Sequence, residues 1–132
     1  MRALSPGIND PVTAIACVDY LGAALCALAE RKVPSPARRD EDGQVRIIMP
    51  VVAFPGALDA AFDQIRQYGG SSVAVTVRMF EALAVIAPRV RRAEDRAALR
   101  RHAKMLERSA KTHFEEANDR ASVQARLDAL RV

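Results

Sequence analysis

Nineteen residues, Pro11 to Ala29, carry a single charge, Asp19. This run limits the possible folds more than any other feature. A helix over it is apolar on every side. Ile15, Val18, Leu21, Leu25 and Leu28 form the large face, and Ala14, Ala16, Ala23, Ala24 and Ala27 fill much of the remainder. Such a helix either crosses a membrane or lies in the middle of a core. A central aspartate costs about 2.5–3.5 kcal/mol on the insertion scale, and alanine offsets little of it. The run therefore reads as the buried central helix of a soluble fold. Asp19 then needs a partner, which an arginine such as Arg66 or Arg78 would supply. The other reading of Asp19 is a binding-site carboxylate. Gly22 lets a second backbone approach closely.

The rest of the chain agrees with helices. It has 25 alanines, six aromatic residues and no tryptophan in 132 residues. Alanine loses no rotamer freedom in a helix, whereas strands favour branched and aromatic side chains. The expected fold is mostly α: a single domain over residues 1–132, four to five helices packed as a bundle, with one short β-hairpin. Ser5-Pro6-Gly7 is a turn in which Gly7 can take positive φ. Asn9 or Asp10 caps the first helix, and Pro11 suits its first position. Pro34 and Pro36 end the helical pattern, and Asp42-Gly43 marks the turn of a hairpin over residues 37–49. A second helix spans about Pro55 to Tyr68, with Leu58, Ala61, Phe62 and Ile65 inward and Gly69-Gly70 as its stop. Ser71 or Ser72 caps a third, largely buried helix that continues to about Arg91, with a kink or end at Pro88. Within it Arg78 and Glu81 are spaced to pair. A fourth helix, Ala93 to Ala117, carries the stripe Leu99, Ala103, Leu106, Ala110, Phe114 and Ala117. Asn118 or Asp119 caps a short last helix, with Leu127 and Leu130 facing in.

Charge is uneven. The formal net charge is +4, yet residues 89–111 alone hold nine basic and three acidic groups, a net of +6. Arg96, Arg100, Lys104 and Arg108 recur every four residues as one positive ridge. Such a ridge is a solvated face or a side turned to anionic lipid. Nucleic-acid binding is the weaker reading, because the ridge lacks interleaved aromatics and helix-turn-helix spacing. Cys17 and Cys26 are nine residues apart, on opposite sides of one helix, and read as two buried reduced thiols. His102 and His113 lie about 16 Å apart along a helix and read as surface histidines. The sequence has no P-loop, no H-x-x-x-H, no nucleophile elbow and no dinucleotide fingerprint, so no metal and no cofactor is expected. No secretory signal precedes Ser5, which points to the cytoplasm.

The densest segment is Arg2-Ala-Leu-Ser-Pro-Gly-Ile-Asn-Asp-Pro-Val-Thr-Ala14. Two prolines stiffen it, and it delivers oxygen-bearing side chains to a helix N-terminus. It reads as a capped, rigid lead-in, or as a small preformed site from Ser5, Asn9, Asp10 and Thr13. This segment resembles the signature of a bacterial family of predicted membrane proteins, domain of unknown function 2254. The likeness continues through Asp19 and Leu21, the Pro34–Pro50 region and Ala60-Ala-Phe-Asp-Gln-Ile-Arg-Gln-Tyr-Gly69, and so covers roughly residues 2–85. Val12 stands where the family has an aromatic. The resemblance implies N-terminal transmembrane helices upstream of a soluble part that contains the motif. It makes Ser5, Gly7, Asn9, Asp10, Asp63, Arg66 and Gln67 motif residues, and it assigns no activity.

The leading expectation is a non-enzymatic, cytoplasmic soluble module derived from a membrane protein, acting in ligand binding, regulation or self-association. It would lie free in the cytoplasm or at the cytoplasmic face of the inner membrane. Without an upstream helix, apolar surface would be left open for a homodimer to cover. The rival is a small hydrolase or metal-dependent enzyme using Ser5, Asn9, Asp10 and Asp19. Asp10 and Asp19 sit about 13 Å apart along one helix, which counts against it.

Overall fold

The structure is a computed structural model and describes residues 2–5 and 7–130. Pro6 of the expected turn lies outside them. A single 3-10 turn at Arg2–Leu4 leads into α1 (Pro11–Glu30). A ribbon of β1 (Ala37–Arg39) and β2 (Val45–Ile48) follows. Then come α2 (Phe54–Gly69), α3 (Val73–Ile86), a 3-10 turn at Ala87–Arg89, α4 (Ala93–His113) and α5 (Ala117–Ala129). The fold is mostly α, with five α-helices among the described residues and one antiparallel hairpin.

The starts and stops have local causes. Asp10 is the N-cap of α1, accepting the Thr13 backbone N–H at 3.0 Å, and Pro11 follows it. The left-handed residue of the lead-in is Asn9 (φ 43°), not Gly7 as the sequence suggested. Asparagine tolerates that region because its short polar side chain hydrogen-bonds locally. Of the two candidate serines, Ser72 caps α3, taking the Val75 N–H at 3.4 Å. The hairpin turns at Gly43 (φ 78°), as Asp42-Gly43 implied. Gly70 ends α2 without a left-handed turn (φ −63°). Its use is clearance, since a Cβ there would lie 2.6 Å from Ser109 Oγ.

α1 and α4 flank α2 and α3, each packing on both, while α5 lies along α3 and α4. The core between them is built from Phe54, Leu58, Phe62, Met79, Phe80, Leu83, Leu99 and Leu106, all essentially buried. Gly22 brings α1 close to α3, with a Cβ there reaching 3.5 Å from that of Ala82.

Further expectations need correction. α1 is not central: Ala14, Val18, Gly22, Leu25 and Ala29 are buried, but Val12 and Tyr20 are 74% and 81% exposed, and Ala16, Ala23, Ala24 and Ala27 are also at the surface. Its two thiols are half-buried and unpaired. α3 ends at Ile86, before Pro88, rather than at Arg91. The fourth helix breaks at Phe114, so Ala117 begins α5 instead of ending the α4 stripe. Glu116, not Asn118 or Asp119, is the N-cap of α5 and makes no side-chain capping bond. Leu127 and Leu130 do pack against the core.

Candidate functional site

The lead-in is a hydrogen-bonded knot. Ser5 O accepts the N–H groups of Ile8 and Asn9 at 3.0 and 2.9 Å, and Ala3 O accepts that of Asp10 at 2.6 Å. Asp10 turns its carboxylate onto the backbone N–H and hydroxyl of Thr13. Those bonds, the hydroxyl's first, hold its carboxyl below the usual range. Gly7, Asn9 and Thr13 are exposed and Ser5 is half-buried.

Asp19 lies two and a half turns further along α1, across from Arg78 of α3. Its Oδ1 accepts Arg78 Nε at 2.5 Å. Arg78 Nη1 reaches Glu81 at 3.0 Å, and Glu81 meets Arg126 of α5 at 3.6 Å. One chain of alternating charge thus ties α1, α3 and α5. The Arg78 hydrogen bond holds the Asp19 carboxyl below its usual range. Arg78 was one of the two expected partners, but the pair is half-exposed rather than in the core, at 43% for each side chain. It edges an open groove of about 270 Å³ between α1 and α3, floored by Val18, Gly22, Cys26 and Ala82. Asp10 and Asp19 therefore serve separate partners about 13 Å apart along α1, and the structure does not bring them together.

On α2, Asp63 and Arg66 form an i,i+3 pair at 3.3 Å, and Gln67 is exposed. These motif residues lie on a different helix from the lead-in. Arg96, Arg100, Lys104 and Arg108 are all exposed along the outer face of α4, and the last three line one shallow groove. Among the described residues, Arg100, Lys104 and Arg108 make no ion pair.

His102 overturns its reading as a surface residue. It is fully buried, and its Nε2 lies 2.7 Å from Asp59 Oδ1 of α2. Arg101 also donates to that oxygen. Phe62 stacks edge-on against the imidazole at 6.5 Å, and the buried Nδ1 has no partner. Partial burial pushes the Asp59 carboxyl up, but the bonds from His102 and Arg101 outweigh it and hold it below the usual range. The signal was present: His102 falls three residues after Leu99 and four before Leu106, on the buried stripe. Asp95, four residues before Leu99, is likewise buried and bonds Arg92 at 2.7 Å. Among the described residues no three of His, Cys, Asp and Glu converge as a metal site.

Residues 1–85 match the family described as predicted membrane protein (DUF2254). The chain belongs to that family. It is also similar to an uncharacterized protein of Mycobacterium bovis and to two of Mycobacterium tuberculosis. Each is 34% identical over 123 residues, which is 93% of this chain and 24% of the relative. The chain thus spans about a quarter of the length of these curated relatives. No solved structure matches it. The DUF2254 region contains the Asp10 cap, the Asp19–Arg78 pair and the Asp63–Arg66 pair, and ends within α3. The basic face of α4 and His102 lie beyond it. Length and composition alone would let α1 cross a membrane, but it packs along one side on α2 and α3.

Proposed function

We propose that this chain is a non-enzymatic, soluble helical module of a longer membrane protein, placed on the cytoplasmic side and working by self-association. One observation carries the reading: α1 is apolar on all sides, yet its own chain covers only one of them. Exposed apolar faces of this extent mark association surfaces. The catalytic alternative gains no support from the geometry, because Asp10 and Asp19 are each engaged by a different neighbour. Sedimentation equilibrium over about 1 to 200 μM, the range of weak interfaces, tests the reading. A mass rising from 14.4 kDa toward twice that value is the expected result. A mass that stays at 14.4 kDa across the range overturns it.

A second reading concerns the α4 ridge. Three exposed cations without acidic partners would meet an anionic leaflet, each contributing about 1 kcal/mol. Co-sedimentation with phosphatidylglycerol vesicles, lost in Arg100→Gln/Lys104→Gln/Arg108→Gln, is the expected result. Equal retention of the variant, or preference for DNA over vesicles, removes it.

A further inference from the structure

We propose that the exposed face of α1 pairs antiparallel with the same face of a second copy, with Tyr20 of each chain packed on Ala23 of the other. The proposal rests on the self-association reading and names its surface. Val12, Ala16, Tyr20, Ala23 and Ala27 recur at helical spacing and are all exposed. They form one strip along a 20-residue helix about 30 Å long.

Three observations select a second copy as the occupant. The first is charge at the ends. α1 begins at Asp10 and is followed by Arg31 and Lys32, all at or near the surface. Only antiparallel pairing sets each acidic end beside the partner's basic end, and it also opposes the two helix macrodipoles favourably. The second is charge in the middle. Asp19 and Glu30 are the charges between those ends, and they are paired with Arg78 and Arg89. The strip therefore carries no net repulsion. α4, on the far side of the α2–α3 pair, presents a positive ridge that would repel its copy. The third is shape. A dyad between Leu21 and Gly22 sets the large Tyr20 against the small Ala23 and Ala16 against Ala27. Alanine permits the close approach that the ring needs.

The test uses the whole chain in two arms. Tyr20→Glu changes a side chain that is 81% exposed, so the circular dichroism spectrum and melting midpoint stay as in the wild type. Its dimer dissociation constant rises about tenfold or more, as for a central anchor. In the second arm Cys17 and Cys26 are replaced by serine, and Ala16→Cys and Ala27→Cys chains are mixed and oxidised. The mixed disulfide forms, and neither chain alone cross-links. A dimer indifferent to Tyr20→Glu, or one in which each single-cysteine chain cross-links to itself, overturns this pairing and leaves self-association standing. A monomer at all concentrations removes both. Binding of the chain to neutral phosphatidylcholine vesicles, abolished by Tyr20→Glu, would make the strip a lipid-facing surface and overturn the pairing.

Discussion

Asp59→Ala should destabilise this protein far more than a half-exposed aspartate ordinarily would. The carboxylate is 40% exposed, but the imidazole it serves is completely buried. Removing the acid leaves both nitrogens of His102 without a partner, since Nδ1 already has none. A hydrogen bond to a charged group contributes about 1.5–3 kcal/mol, and stranding a buried polar group costs about 1–3 kcal/mol. These two figures describe largely the same loss, and the exposed Arg101 contact adds at most about 1 kcal/mol. The expected cost is about 2–3 kcal/mol. His102→Leu should cost only about 1 kcal/mol, because Asp59 then keeps Arg101 and water. The double variant should resemble His102→Leu, giving a coupling of about 2–3 kcal/mol. Urea unfolding followed by circular dichroism at pH 7, with equal m-values, measures all four corners of the cycle. A cost below about 0.5 kcal/mol for Asp59→Ala, or an additive cycle, would refute the argument.

Three further outcomes follow from the geometry. Gly69→Ala adds a methyl 2.9 Å from Val75 Cγ1 and 3.1 Å from Leu4 Cδ1; it should cost about 1–3 kcal/mol, and an unchanged melting midpoint would contradict it. Arg120 Nη1 donates to Phe114 O at 2.9 Å and Glu115 O at 2.7 Å. Arg120→Ala should speed amide exchange around residues 114–117 while leaving α2 protected, and uniform exchange would count against this role. The carboxyls of Asp10, Asp19 and Asp59 all lie below the usual range in the folded state. Their contribution is complete above the unfolded value of about 3.9 and is lost as pH falls through the folded values. The urea midpoint should therefore hold from pH 7 to about 5 and drop below about 4. Asp19→Asn should make that drop shallower; an equally steep profile would show that the Arg78 bond does not contribute.

Much of the fold was legible because its signals are local. Pro11 after a capping aspartate, Asp42-Gly43 in a turn and Gly69-Gly70 after an apolar stripe each act within a few residues. The failures came from longer range. The α4 stripe continues in phase to Ala117, with no glycine or proline to stop it. The break at Phe114 is instead held by Arg120, whose side chain folds back over the connection. The apolar run over 11–29 was legible as a helix, but periodicity reports which faces can be covered, not what covers them. Asp19 was legible as a residue needing an arginine, whereas its half-exposure depended on how α1 leans on α3. His102 was misread because a histidine between arginine and alanine looks solvated, and its partner lies 43 residues earlier. The motif residues of the lead-in were legible as a cap and a turn, which is the chemistry their bonds display.

The hairpin carries a consequence of a different kind. Both of its strands are edge strands, and Ile47 and Ile48 stand exposed at 56% and 75%. An open ribbon with such residues is a template onto which another extended chain can add. Its pairing slips between Arg38 and Arg39, which spoils the flat edge such addition requires. Arg38, Arg39 and Arg46, the last paired with Asp40 at 2.5 Å, put charged side chains on the same few residues, which a stacked neighbour would have to accommodate. The arginines of this short ribbon thus act as gatekeepers against aggregation, and neutral replacements there would endanger solubility before they endangered the fold.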